Sequence, residues 1–267
     1  MSEPESFAAR NHLKEKLDSG KVVASMIVRM SRGADIARIA KAAGFDALYV
    51  DMEHSSLSLD VTSQICMTAL DLDVTPLVRV PGMSPEIVCQ VLDGGAMGII
   101  VPAIANAADA RRAVESAKYP PLGNRSVSGS LPQFQYRNVP IAEANAVLNQ
   151  RTFVGVMIES ESALNNVEQI AAVDGVDLLH VGMSDLATSL GMPGKLQPAD
   201  IVRIFATVLD VAKKHGKHVG IGGLAGMPDL VRTIVRQGAS FVSAGTDLSF
   251  LLSAATERAR FIHGLRT

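Results

Sequence analysis

One pattern recurs eight times along the chain. A short run of β-branched and aliphatic residues leads into a polar turn, then a stretch with apolar residues at helical spacing, often closed by glycine. The runs lie at 22–28, 47–52, 76–80, 98–104, 152–158, 177–181, 218–222 and 241–244 and read as buried strands. Helices fit at 33–43, 60–72, 84–92, 106–118, 161–172, 200–215 and 227–237, with another after Asp247 and one near 7–17 ahead of the first strand. A helix between two strands makes them parallel neighbours, so their ends share one rim. Eight such units predict an α/β fold, a single-domain (β/α)8 TIM barrel over residues 1–267. Gly44, Gly216 and Gly238 fall just past helical patterns, where a left-handed C-terminal cap favours glycine. The alternative is an open doubly wound sheet. No Gly-x-Gly-x-x-Gly follows the first strand, so a dinucleotide fold is unsupported. Residues 1–20 form an N-terminal arm and helix. The long, polar segment 119–140 interrupts the rhythm and reads as a lid or an interface segment, with Phe134, Tyr136 and Arg137 covering a site or packing on a neighbouring subunit.

Composition narrows the function classes. With 267 residues, 48% hydrophobic, there is ample material for one large core, and a net charge of −2 argues against a nucleic-acid partner, which needs a basic face. Two cysteines, Cys66 and Cys89, are too few for a disulfide scaffold or a zinc site, and both read as buried thiols. The opening Met-Ser-Glu-Pro-Glu-Ser lacks a signal-peptide pattern and no apolar run reaches membrane-spanning length, so the expectation is a cytoplasmic protein without a membrane partner.

A barrel gathers its chemistry where strands end and loops begin. Those ends supply Asp51, Glu53 and His54 after the second strand, Arg79 on the third, Glu159 after the fifth and Asp185 after the sixth, with backbone amides around Gly182, Ser184 and the Gly222-Gly223 pair. Hard oxygen ligands, a permanent cation and a group titrating near neutrality suit metal-assisted proton transfer or carbon–carbon bond chemistry. Glu159 and Asp185 follow neighbouring strands; two acids so placed need a proton or a cation between them, and a divalent metal is the preferred answer. Each residue also has a plainer reading. Arg79 either pairs internally with Asp51 or Glu53 or points at a ligand oxygen. Glu159 and Asp185 could cap helices, a position that favours Asp but not Glu. Asp93, at a helix end, is a turn residue unless it orients a histidine. His180 reads as a satisfied core histidine. No lysine sits at the active rim except Lys195 in a loop, and no Gly-x-Ser-x-Gly elbow occurs, so imine and acyl-transfer chemistry fall behind a metal.

These residues, with their flanks, resemble the HpcH/HpaI family of class II, metal-dependent pyruvate aldolases. The resemblance rests on Gly44-Phe-Asp-Ala-Leu-Tyr-Val-Asp-Met-Glu-His54, Pro76-Leu-Val-Arg79, Leu92-Asp-Gly-Gly95, Val101-Pro102, Tyr119-Pro-Pro-Leu-Gly-Asn-Arg125, Ile158-Glu159 and Val181-Gly-Met-Ser-Asp-Leu186, in order across roughly residues 22 to 262. It implies a barrel that assembles as a homo-oligomer, commonly a hexamer, whose last helix exchanges between subunits. It further implies reversible cleavage of a 4-hydroxy-2-oxo acid to pyruvate and an aldehyde. Glu159 and Asp185 would bind Mg2+, Mn2+ or Co2+, and Arg79 would meet the keto or enolate oxygen. His54, steered by Asp93 from the same or an adjacent subunit, would move protons, and the amides around Ser184 and Asp185 would receive the carboxylate. The sequence departs from the family at Met52 (often glycine), Met157 (often glutamine) and Ser126 (often glycine), so the resemblance carries the reaction rather than the aldehyde. A metal-dependent acyl-CoA lyase or decarboxylase on the same barrel, or a barrel without turnover, are the competing readings.

Overall fold

Period-two alternation along the strands decides the architecture, because both faces of each strand are apolar and both must be covered. The structure, a computed structural model, describes residues 9–266; the start of the helix expected at 7–17 lies outside them, as does the rest of the arm before Ala9. In chain order the elements are α1 (His12–Asp18), β1 (Val23–Val28), α2 (Asp35–Ala42), β2 (Ala47–Asp51), α3 (Leu59–Asp71), β3 (Thr75–Arg79), α4 (Pro85–Asp93), β4 (Gly98–Val101) and α5 (Ala107–Ala117). They continue with α6 (Ile141–Arg151), β5 (Phe153–Ile158), α7 (Glu161–Asn165), α8 (Val167–Ala171), β6 (Leu178–Gly182), α9 (Met183–Ser189), α10 (Pro198–Lys214), β7 (His218–Gly222), α11 (Pro228–Gln237), β8 (Phe241–Thr246) and α12 (Asp247–His263). All eight strands pair in parallel with their sequence neighbours, and β8 closes on β1, giving a closed barrel.

Two shells of core follow from the alternation. Val23, Tyr49, Leu77, Ile100, Phe153, Met157, Leu178 and Phe241 point inward and pack together. Their strand neighbours, such as Val50, Val78, Val156 and Val181, pack outward under the helices. α1 closes the end where strands begin. Its Leu13 and Leu17 enter the inner cluster, fully or almost fully buried. Asn11 caps α1 by accepting from the Lys14 N–H at 3.1 Å, and its Nδ2 donates to the carbonyls of Met97 (3.2 Å) and Arg151 (2.7 Å). Gly44, Gly216 and Gly238 adopt φ of 83°, 63° and 125°, so the left-handed turn expected after each helix is present.

The structure departs from four local expectations. The helix expected at 161–172 is two short helices, α7 and α8, meeting at Asn166, whose Nδ2 donates to the Ala105 carbonyl at 3.0 Å. α6 and α9 are additional helices. Phe134, expected to cover a site or a neighbouring subunit, is buried in its own chain with Ala9, Tyr119, Leu131 and Leu148. Cys66 is buried, which pushes its thiol up to about 12, whereas Cys89 is only partly buried. Beyond its first turn α12 leaves Leu251, Leu252, Phe261 and Ile262 more than half exposed (57%, 63%, 56% and 54%). No helix of the described residues is long and apolar enough to cross a membrane.

Candidate active site

At the rim where strands end, Asp51 is the organising group. It is the last residue of β2, faces inward and is 0% exposed. Arg79, paired with it across β2 and β3, donates from Nε to Oδ1 at 2.8 Å and from Nη2 to Oδ2 at 2.6 Å, a bidentate fork. Arg29, directly after β1, donates to Oδ2 at 2.6 Å, and the amides of Glu53 and His54 donate to Oδ1 at 3.2 Å each. Burial alone would push the Asp51 carboxyl up, but the Arg79 bonds and charge, the His54 amide and Arg29 outweigh it and hold it below the usual range. The third nitrogen of Arg79, Nη1, lies 3.0 Å from Glu53 Oε2. Both plainer partners considered for Arg79 are therefore real, and they fix its orientation. His54 is half exposed, with Nε2 3.7 Å from the same Glu53 oxygen.

Across the mouth stand the two candidate metal ligands. β5 and β6 pair so that Ile158 sits opposite Val181, which brings the residues following each strand to one rim. Glu159 Oε1 accepts from the Ala103 N–H at 2.7 Å. Burial raises the Glu159 carboxyl, the Ala103 amide opposes, and the charges of Glu53 and Asp185 raise it further. Gly182 leaves room for it: a Cβ there would lie 3.1 Å from Glu159 Oε2. Asp185 belongs to the first turn of α9. Neither acid is a cap, since Ser160 accepts from the Ala163 N–H to cap α7 and Gly182 holds the N-cap position of α9. Among the described residues no three His, Cys, Asp or Glu side chains gather as a ready ligand set. Two carboxylates completed by waters and substrate oxygens is the arrangement this donor set fits, and hard oxygens suit a hard dication.

Of these groups Arg29, His54, Arg79 and Asp185 line a cavity of about 290 Å³, together with Tyr49, Met157, His180, Ser184, Ser243 and the backbone of Gly182, Gly222 and Gly223; Asp51, Glu53 and Glu159 are not part of its lining. Sequence reasoning overlooked Arg29, which a reading of every strand end would have caught, and Tyr49 and Ser243, which look like ordinary strand residues. His180 is buried as expected but is not satisfied, because its Nδ1 has no hydrogen-bond partner in the protein. Asp93 is elsewhere. It accepts from Arg125 Nη2 at 2.6 Å and faces Cys89 Sγ at 3.7 Å, so within one chain it pairs with Arg125 and not with His54. The segment 119–140 contributes no residue to the lining of this cavity.

The chain belongs to the HpcH/HpaI aldolase/citrate lyase family, whose model matches residues 25–254. It is 44% identical over 224 residues to the 4-hydroxy-4-methyl-2-oxoglutarate aldolase of Chaetomium globosum, covering 82% of each chain. It is 37% identical to the 5-keto-4-deoxy-D-glucarate aldolase of Klebsiella pneumoniae, covering 81% of this chain and 83% of that one. Among solved structures, the HpcH/HpaI aldolase from Desulfitobacterium hafniense superposes with a TM-score of 0.89 at 30% identity, over 96% of this chain and 98% of the other. The protein is thus a carbon–carbon lyase, an aldolase of the pyruvate type that acts on small oxo acids.

Proposed function

We propose that this aldolase cleaves 4-hydroxy-2-oxo acids reversibly to pyruvate and a carbonyl compound, with Glu159 and Asp185 holding a divalent cation, Mg2+, Mn2+ or Co2+. The observation that carries the reading is a pair of acids following adjacent strands, one of them half-buried with its carboxyl raised by that burial and by its neighbours' charge, opposite a fixed arginine. A dication between them relieves the repulsion. The substrate named for the Chaetomium globosum relative, 4-hydroxy-4-methyl-2-oxoglutarate, heads the candidates. Its cleavage yields two molecules of pyruvate.

When bound, the cation supplies Lewis-acid pull on the carboxylate and keto oxygens of the 2-oxo acid. The remaining work falls to the chain. The N–H groups of Ser184 and Asp185, in the first turn of α9 where no intrahelical acceptor exists, receive the carboxylate. Arg79 Nη1, which is not tied to Asp51 and lies 3.0 Å from Glu53, is the guanidinium nitrogen that would meet the oxygen that becomes negative. His54 takes the proton of the 4-hydroxyl as C4–O becomes a carbonyl and the C3–C4 electron pair passes into the enolate, then delivers that proton to C3 to complete pyruvate; condensation runs the same transfers in reverse. Asp51 and Glu53 hold Arg79 and His54 in place. Asp93 keeps a supporting role through Arg125 or toward an adjacent subunit, and the exposed apolar side of α12 supports a homo-oligomer, a hexamer by resemblance.

The test is pyruvate release from 4-hydroxy-4-methyl-2-oxoglutarate and a panel of other 4-hydroxy-2-oxo acids. EDTA should abolish it and added Mg2+, Mn2+ or Co2+ should restore it. Undiminished turnover in metal-stripped protein would sink the proposal.

A further inference from the structure

Below the level of Arg79 the barrel interior is not the apolar plug its strands suggest. His180 lies inward on β6, opposite Gly220 of β7. A Cβ on Gly220 would lie 2.2 Å from His180 Nδ1, and one on Gly222 would lie 2.8 Å from Nε2. The nitrogen-bearing edge of the ring therefore rests over a stretch of strand without side chains and looks toward β8. There Phe241 meets the ring edge-on at 5.6 Å, and Ser243, two residues further along the same face, lines the cavity. Across the seam Ser243 is in register with Ser25 of β1. His180, Ser243 and Ser25 are 2%, 4% and 0% exposed. Yet His180 Nδ1 and both serine Oγ atoms have no hydrogen-bond partner in the protein. Tyr49, on the other flank of the imidazole at 5.8 Å, offers its hydroxyl no better partner than the Met157 sulfur at 3.9 Å. Buried polar groups without partners are rare; His180 and Ser243 both line the cavity and Ser25 lies beside Ser243 in register, which marks a place for a hydrogen-bonding occupant.

We propose that His180, Ser243 and Ser25 form a polar subsite on the inner side of the substrate cavity, seating one hydroxyl-sized group, and that His180 is a specificity-determining residue. A 2-oxo acid stretched between Arg79 on β3 and the amides beyond β6 has this floor beneath it; that placement rests on the reading above, whereas the floor itself does not. In the free enzyme the occupant is a water. In a complex with a 2-oxo acid that carries a hydroxyl on C3, the hydroxyl takes its place. A methyl group of the same size leaves the polar atoms unmet, so the enzyme prefers the hydroxylated donor.

Two measurements decide it. The first, independent of activity, is a crystal structure of the ligand-free wild-type protein at a resolution that shows waters. One ordered water within hydrogen-bond distance of Ser243 Oγ and a His180 ring nitrogen is expected, and its loss in His180→Phe. A dry floor in the wild type overturns the subsite whether or not the protein cleaves any oxo acid. The second compares 3-hydroxypyruvate with 2-oxobutanoate as donors to a common aldehyde, with pyruvate as reference. The wild type should favour the hydroxylated donor in kcat/KM by about tenfold or more, and His180→Phe should reverse that order. Ser243→Ala, which removes one oxygen, should give an intermediate ratio and serves if His180→Phe does not fold. An unchanged ratio in these variants overturns the role of His180 even with the water in place. A wild type inert toward every donor counts against the proposed reaction, and the water then decides the subsite alone.

Discussion

Arg79 is held by geometry as much as by charge. Its Nε and Nη2 grip Asp51 in parallel, and that grip turns Nη1 to Glu53 Oε2 at 3.0 Å, with the Met157 sulfur of the cavity wall at 3.8 Å. Lysine keeps the charge but has no planar fork. Arg79→Lys is therefore expected to fold and to lose at least about 100-fold in kcat, the scale of removing one preorganised donor; steady-state kinetics check it, and near-normal turnover would remove the proposed role. His180 carries a pH signature. Burial, with a smaller push from Arg79, lowers its imidazole to about 3. The unfolded chain takes up a proton near pH 6.5 that the folded chain refuses, so stability present above about 6.5 is lost as pH falls toward 3. Asp51 acts in the same direction, since a carboxyl held below its ordinary range stabilises the fold above the unfolded value and ceases to as pH falls through the folded one. Urea midpoints measured from pH 7 to pH 4 should fall less steeply for His180→Phe than for the wild type. Parallel curves would mean that this histidine is not a buried neutral group.

At the scale of elements, α1 is the piece whose contribution is most directly measurable. Leu13 is fully buried among inward-facing strand residues, and Leu13→Ala should cost about 2–5 kcal/mol in urea unfolding. A loss near zero would mean that the helix does not seat in the barrel. The strands were legible because each is a short apolar run between turn formers, and the rim acids were legible because they directly follow those runs. α6 was not, since it starts at Ile141 behind Pro140, which offers no side-chain cap, and carries a single buried residue, Leu148, so it reads as the tail of the polar loop before it. α9 escaped because it begins the residue after β6 ends, with no intervening cap signal. The inner floor was the least legible part. Tyr49, His180 and Ser243 sit inside strands whose other residues are core, and which of two alternating faces points inward is known only once the sheet has closed.

For the whole molecule, a closed sheet leaves no strand edge, so contacts with other copies must use helices or loops. The exposed leucines and phenylalanine of α12 are the apolar surface suited to that. Sedimentation velocity should show an assembly larger than one 28.2 kDa chain, and Leu251→Asp with Leu252→Asp should break it; a monomer at every concentration would remove the oligomer from the picture. The opposite end of the barrel is shut by the chain's own beginning, with Asn11 tied to Met97 and Arg151 and two leucines pressed inside. That cork extends the inner cluster to the bottom of the barrel, so the reaction chamber rests on packed side chains rather than on solvent. Trimming the front of the chain past residue 17 would uncover that packing and slacken the base on which the far lip stands, so turnover would weaken although no residue at the lip had changed.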